Sequence, residues 1–259
     1  MLKFLQKCLK KIEKWIEKLR EISAERGYTC DGCGKEIFDY PQNRLCEDCK
    51  TSLYRPKRIC PKCGRETRAN GVCLECKKVA PSFTKGISPF AYRGEVASLV
   101  NRLKNGDPRL AYFFGEEMAK AFATKYPLPQ KGSQPLLIVP VPLSKPRLRA
   151  RGYNQAGELA LSVGKTLTRL GYKVEVNKEI LIKKRDTALQ KQMNFQDRTE
   201  NVSGVFHVKS RKAFRGRTVL LIDDIMTTGA TGDTCAKRIF GAGAKSVFFL
   251  VATALPGRK

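Results

Sequence analysis

The apolar residues of this chain follow two periods, and the periods alternate along it. Val219 to Ile222 are four apolar residues in a row, closed by an acidic pair, which is the pattern of a short strand inside a parallel sheet. Leu136 to Val141 and Ser246 to Ala254 read as further buried strands, and Phe83 to Tyr92 as a strand region. Between them the spacing becomes helical. Val96, Leu99, Val100 and Leu103 mark a helix that starts at Gly94 and ends near Lys104 to Pro108. Further helices are predicted over about 109–123 and 156–170. After Ile222 a small-residue turn, Thr227 to Gly232, opens a helical pattern running to about Phe240, with Gly241 and Gly243 as stop signals. Strands alternating with helices predict an α/β domain, a parallel sheet flanked by helices.

The amino terminus carries a different repeat. Leu2, Leu5, Leu9, Ile12, Ile16 and Leu19 are spaced 3, 4, 3, 4, 3, a heptad seam on an amphipathic helix of about 24 residues. Cys8, Trp15 and Ile22 flank it and Gly27 stops it. Packing, on the rest of the chain or on a second copy, is the expected role. A basic helix on a membrane surface or a partner is the sharper alternative, but Glu13, Glu17, Glu21 and Glu25 dilute the basic face. No apolar run approaches the roughly 18 residues of a membrane span, and the lysines of the first helix leave no signal-peptide core. A soluble, cytoplasmic protein is expected, with the inner face of the membrane as a peripheral alternative.

Between these regions the apolar side chains thin out and cysteines replace them. Cys30-x-x-Cys33 and Cys46-x-x-Cys49 are separated by twelve residues, Cys60-x-x-Cys63 and Cys73-x-x-Cys76 by nine. This is zinc-ribbon spacing, in which each pair is a knuckle and two knuckles close a tetrahedral four-sulfur site. Two structural zinc ions follow. Such sites keep no open position for a substrate, and a segment so poor in core residues needs them to fold. Sequential pairing is the simpler choice, and spacing alone leaves interleaved pairing open. A disulfide framework fits poorly with a reducing cytosol, and an iron–sulfur cluster is the lesser metal alternative. Cys8 and Cys235 remain as buried or inert thiols. The predicted domains are thus an amphipathic helix (1–27), a double zinc ribbon (28–80) and a sheet domain (81–259).

Charge is the next constraint. The chain has a net charge of +26, of which residues 81–259 carry +18 from 31 basic and 13 acidic residues. Eight zinc-bound thiolates bring residues 28–80 to about zero. The excess therefore lies on the sheet domain and predicts salt-sensitive affinity for polyanions, set against a basic surface that serves only solubility.

Chemistry concentrates where the strand Val219–Ile222 ends. Asp223 and Asp224 stand at its C-terminal end, where open α/β sheets place ligands. Thr227, Thr228, Gly229, Ala230 and Thr231 follow, and the N–H groups of such a turn and helix start favour an anion. Bare carboxylates beside a phosphate would repel it unless they face ribose hydroxyls or a Mg²⁺ ion and its waters. The combination suggests a phosphorylated sugar. An acidic pair that only caps a helix is the plainer reading, and the ordered run of both acids and the Thr-Thr-Gly-Ala-Thr turn argues against it.

A second site-like stretch begins at the end of the strand Leu136–Val141. Ser144, Lys145, Arg147, Arg149 and Arg151 precede Gly152-Tyr153-Asn154-Gln155. Arginine forks suit phosphate oxygens, and the Gly-Tyr-Asn-Gln run is too particular for a plain surface loop. A third basic stretch, Lys183 to Asn201, joins the apolar segments Ile180–Ile182 and Val205–Val208 and reads as a mobile lid. The single histidine, His207, lies in a strand pattern and reads as structural.

Taken together these segments resemble the ComF family. The resemblance is carried by the Cys pairs, Tyr92-x-Gly94, Val139-Pro-Val-Pro-Leu143, Arg151-Gly-Tyr-Asn-Gln155, Arg185-x-Thr187-x-x-Gln190, Arg198-x-x-Asn201 and the turn after Asp224, over about residues 28–254. Tyr153 stands where the family more often has Phe, and the heptad helix lies outside the match. The resemblance implies a type I phosphoribosyltransferase fold preceded by zinc ribbons. It also implies binding of phosphoribosyl pyrophosphate (PRPP), or a related sugar phosphate, with Mg²⁺. Asp223 and Asp224 would then hold ribose hydroxyls and Mg²⁺-bound waters, and Thr227 to Thr231 the 5′-phosphate. Ser144, Lys145 and Arg147 would approach pyrophosphate, with Arg151 in the same segment, and Arg185 and Arg198 would belong to the lid. Asp223, Asp224 and Arg185 are the catalytic candidates for transfer to an acceptor the motif does not name. The family's association is with competence, the uptake and handling of incoming single-stranded DNA, which makes single-stranded DNA and a protein of the competence machinery candidate partners. The alternative is a non-catalytic DNA-binding or adaptor protein that retains the fold. Phe83, Phe90, Tyr92 and Tyr153 are the aromatics that could stack on bases, with core packing the plainer role for them.

Overall fold

The structure is a computed structural model describing residues 28–37, 45–68, 70–128, 132–184 and 205–257. The heptad helix with Cys8, and the lid residues Arg185, Thr187, Gln190, Arg198 and Asn201, lie outside the described residues. The chain divides into two compact units, Met1–Ser52 and Leu53–Lys259.

In the first unit, β1 (Tyr28–Thr29) pairs antiparallel with β2 (Glu36–Ile37), and α1 (Glu47–Ser52) follows. Its described apolar core is Cys30 and Leu45. A buried Leu is worth about 1.5–3 kcal/mol, too little to order a knuckle without metal.

The second unit begins with a second knuckle and α2 (Leu74–Lys78), then β3 (Lys85–Ile87) and β4 (Phe90–Ala91). The helices α3 (Gly94–Lys104) and α4 (Leu110–Ala123) lead to β5 (Leu136–Pro140). Next come α5 (Lys145–Arg151), α6 (Gln155–Arg169), β6 (Val174–Val176), and an antiparallel pair, β7 (Leu181–Lys183) with β8 (Phe206–Val208). The long strand β9 (Thr218–Met226), α7 (Ala230–Gly241) and β10 (Ser246–Ala254) close the unit. Six strands form one parallel sheet in the order β3-β10-β9-β5-β6, with β4 also on β10.

Alternation along the central strands separates two cores. Phe248 turns to Phe122 of α4 and to Tyr126, with ring centroids 5.7 and 4.6 Å apart. Phe249 turns the other way, 5.4 Å from Phe83 and against Gly232 of α7. Because both faces are covered, Val219 to Ile222 are all buried, as a central parallel strand requires. Phe83 and Phe90 are core residues, which removes them as base-stacking candidates.

Three local features depart from the sequence reading. The strand β9 runs on through the acidic pair to Met226, because β10 continues alongside it and pairs Val251 with Asp223 and Ala254 with Met226. The helix α7 starts at Ala230, inside the expected turn. The basic segment after Ser144 is a helix, with Pro146 in its first turn, where a missing N–H costs nothing. Among the described residues no helix is long and apolar enough to cross a membrane.

Candidate functional site

Adjacent parallel strands deliver the two site-like stretches to one edge of the sheet. Pro140 of β5 lies opposite Ile222 of β9, and Val141 donates its N–H to the Ile222 carbonyl at 2.8 Å. Asp223 and Asp224 on one strand therefore emerge beside Ser144 and α5 on the other. Ser144 is buried at the start of α5, Lys145 and Arg147 are exposed, and Arg151 is half-buried. Thr227 and Thr228 are exposed and carry the chain into Gly229, whose φ of 87° is left-handed and suits glycine. Thr228 Oγ1 accepts from the Ala230 N–H at 3.3 Å and caps α7, while Ala230 and Thr231 are exposed in its first turn.

The acids are held by backbone. Asp223 Oδ1 accepts from the Asp224 N–H at 2.9 Å, and Asp224 Oδ1 from the Ile225 N–H at 2.7 Å. Burial, then the neighbouring Asp224 charge, raise the Asp223 carboxyl well above the ordinary carboxylate range. Asp224 is 4% exposed, and its Oδ2 accepts no hydrogen bond among the described residues. Among the described residues Lys104 Nζ forms an ion pair with that oxygen at 3.5 Å. Lys104 is a functional candidate that the sequence reading passed over, since it had served only as the end of a helix.

The Gly-Tyr-Asn-Gln run explains how Lys104 is held there. The Tyr153 hydroxyl donates to the Leu103 carbonyl and accepts the Gly106 N–H at 3.2 Å, so it grips the end of α3 from both sides. Asn154 Nδ2 donates to the Val141 carbonyl at 3.1 Å, and its Oδ1 caps α6 by accepting from Ala156 N–H at 3.1 Å. Tyr153 and Asn154 are positioning residues, and Tyr153 is committed to this tether rather than to stacking.

Both cysteine quartets assemble, each from sequence-adjacent pairs: Cys30, Cys33, Cys46 and Cys49, and Cys60, Cys63, Cys73 and Cys76. Within each, the four sulfurs lie within 4.8 Å of one another, and the Cys33–Cys46 and Cys63–Cys73 sulfurs are 3.7 Å apart. The edge of a tetrahedron with a Zn–S bond of about 2.3 Å is roughly 3.8 Å, so each quartet fits such an ion. Burial raises thiol pKa values, but N–H donors from Cys46, Cys33 and Gly32 outweigh it at Cys30 and hold that thiol at about 6. At Cys60 the donors of Cys73, Cys63 and Lys62 likewise outweigh burial and give about 7. Burial raises Cys73 to about 11, with the Cys63 charge adding to it, and pushes Cys76 up further. Each quartet thus sets one thiol of lowered pKa, Cys30 or Cys60, beside thiols that burial raises, Cys49 in the first and Cys73 and Cys76 in the second. Cys235 is buried and its thiol is raised, first by burial and then by Asp223, as expected of an inert thiol.

The second quartet touches the anion turn through Arg65. Its Nη2 lies 3.9 Å from the point where a β-carbon on Gly229 would stand. Nothing in the sequence signals this, because Arg65 and Gly229 are joined only by the fold.

No protein-family model matches the chain. It is similar to competence protein ComFC of Bacillus subtilis, 27% identical over 241 residues, covering 88% of this chain and 91% of that protein. Competence protein F of Haemophilus influenzae is 26% identical over 228 residues, covering 84% and 86%. DNA utilization protein YhgH of Escherichia coli K12 is 26% identical over 211 residues, covering 78% and 87%. Among solved structures, glutamine PRPP amidotransferase from B. subtilis gives a TM-score of 0.36 at 15% identity over 55% of this chain, which spans 26% of that enzyme. A hypoxanthine phosphoribosyltransferase from Trypanosoma cruzi also gives 0.36 at 15% identity, over 57% of this chain and 75% of that one. A parallel sheet flanked by helices, two cysteine quartets ahead of it, and likeness over most of the chain to ComFC, competence protein F and YhgH bear out the ComF resemblance read from the motifs.

Proposed function

We propose that this protein binds PRPP, or a related sugar phosphate, with Mg²⁺ at the sheet edge formed by β9, α7 and α5, and that it acts in competence and DNA uptake. The observation that carries the reading is Asp224 Oδ2, a buried carboxylate oxygen that accepts no hydrogen bond among the described residues, set directly before an anion turn. Leaving such a group unsatisfied is costly, and a hydroxyl or a hydrated cation beside it removes the cost. Hard carboxylate oxygens suit Mg²⁺, which when bound would neutralise charge on the pyrophosphate. In this reading Asp223 and Asp224 orient the ribose, and the N–H groups and hydroxyls of Thr227 to Thr231 hold the 5′-phosphate. Ser144, Lys145, Arg147 and Arg151 face the pyrophosphate, and Arg185 joins from the 183–201 stretch.

The corresponding reaction is phosphoribosyl transfer. The bond from ribose C1 to pyrophosphate oxygen breaks, pyrophosphate leaves with the electron pair, a C1–N bond forms, and the acceptor nitrogen loses its proton. Catalysis would rest on charge stabilisation by the cations around pyrophosphate. Calorimetric titration of zinc-loaded protein with PRPP and Mg²⁺ tests the reading. Micromolar binding that is lost in Asp223→Asn and Asp224→Asn is expected; no binding by the wild type, or undiminished binding in both variants, overturns it.

A second reading is supported by the +18 on residues 81–259 and by relatives named for competence and DNA utilization. Here the protein binds single-stranded DNA without turnover. Affinity should fall steeply between low and high salt, and a flat response would remove the electrostatic basis for it.

A further inference from the structure

We propose that Arg65 belongs to the phosphate site, and that metal in the second quartet therefore governs the affinity of the Gly229 turn for a phosphorylated ligand. The inference rests on the sugar-phosphate reading above and adds to it a residue and a control.

Arg65 is 4% exposed, an unusual place for a guanidinium. Its backbone belongs to the knuckle: the Cys60 N–H donates to the Arg65 carbonyl at 2.8 Å, and Gly64 before it has a left-handed φ of 75°. Its stem passes Gly257, with Cδ 3.7 Å from where a β-carbon on that glycine would stand. Nη1 faces Glu75 Oε1 at 3.8 Å, an ion pair too long for a hydrogen bond, and Nε makes none among the described residues. Nη2 reaches the Gly229 turn, beside Met226 Sδ and Cγ, which stand 3.7 and 3.9 Å from the missing β-carbon. The long ion pair with Glu75 engages Nη1 and leaves Nη2 toward the Gly229 turn. A phosphate on the N–H groups of the turn would meet that nitrogen at the spot where the helix start already favours negative charge.

The metal enters through geometry. Arg65 lies two residues beyond Cys63, in the turn whose shape the Cys60 and Cys63 sulfurs set, so demetallation frees the residue that carries the cation. By linkage, whatever factor the metal adds to ligand affinity the ligand returns to metal affinity.

The test is calorimetry of the full zinc-loaded chain with PRPP and Mg²⁺, with zinc content measured in each variant. Arg65→Gln should retain both zinc ions and bind at least tenfold more weakly, and Arg65→Lys should recover part of the loss. Undiminished affinity in zinc-replete Arg65→Gln overturns the role of Arg65 alone. Absence of binding in the wild type overturns the sugar-phosphate reading and this inference with it. Competition for zinc against a chromophoric chelator decides the matter without any variant. Saturating PRPP should tighten one of the two zinc equivalents at least fivefold, and two unchanged zinc affinities would overturn the coupling.

Discussion

The two cysteine quartets use one motif in two settings. In the first, only Cys30 is buried and Cys33 is exposed, and among the described residues of that unit Leu45 is the other buried apolar residue. In the second, all four cysteines are buried and join the core of the sheet. The backbone explains the second setting. Gly86 of β3 donates its N–H to the Lys62 carbonyl at 2.8 Å, and a β-carbon there would stand 2.1 Å from the Cys63 carbonyl oxygen. Lys62 Nζ donates to the Phe83 carbonyl at 2.7 Å. The difference teaches that ligand spacing reports the metal and not its role. One quartet staples a small module, while the other is a wall of the main fold and brings Arg65 to the anion turn.

The strongest way to break this contrast is to remove one ligand from each quartet. Cys63→Ser should lower the melting temperature of the main transition by about 6–12 °C, the shift expected of roughly 3 kcal/mol in a unit of this size. Cys33→Ser should cost one zinc and leave that transition in place. Calorimetric melting with zinc analysis reads both, and equal shifts would erase the distinction. The next effect is steric. Gly86→Ala should destabilise the main transition by on the order of 2–3 kcal/mol, because backbone on both sides must part. In the first quartet Gly32→Ala meets Cys49 Sγ at 2.7 Å, so it should weaken zinc binding and spare the sheet. Chemical denaturation separates the two outcomes.

The same contrast explains what the sequence could convey. The knuckles, the strand Val219–Ile222 and the helix at Val96–Leu103 were legible because ligand spacing and apolar period are local. Sequential pairing of the quartets, the simpler choice from spacing, is the one that assembles, while the helical form of the basic segment was not legible, since competing local readings differ little there. Two site candidates, Lys104 and Arg65, were missed for a single reason. Each meets a partner that most of the domain's helices and strands separate from it in sequence, Lys104 to Asp224 and Arg65 to Gly229, and only the fold brings those positions together. Tyr153 and Asn154 were flagged as too particular for a surface loop, but their task of gripping α3 and β5 needed coordinates. The strand β6 was missed because three residues of mixed exposure carry no clear period.

Protonation sharpens the contrast at the site the second quartet borders. In the folded chain Asp223 keeps its proton above the ordinary carboxylate pH, so stability falls as pH rises from that value toward the raised one. Asp223→Asn should therefore be more stable than the wild type near neutral pH while losing PRPP–Mg²⁺ binding, an opposition of stability and function visible in melting and titration together. Binding that needs the carboxylate should also release a proton in the wild type. Titration of the wild type in buffers of different ionisation enthalpy measures it, and binding without proton release would mean that the ligand does not need the ionised Asp223.

The smallest effect asks whether a purely organic tether can position the site as the metal knuckle does. Tyr153→Phe removes the hydroxyl that joins Leu103 to Gly106 and leaves the ring in place. Losing those bonds should cost about 0.5–1.5 kcal/mol, shared between stability and the placement of Lys104. If Lys104 steadies Asp224, PRPP–Mg²⁺ affinity should fall about two- to fivefold in Tyr153→Phe. Lys104→Met should show a larger loss, and the double variant no more than Lys104→Met alone, since the tether acts through that lysine. Additive losses would mean that Tyr153 serves the site by another route than Lys104.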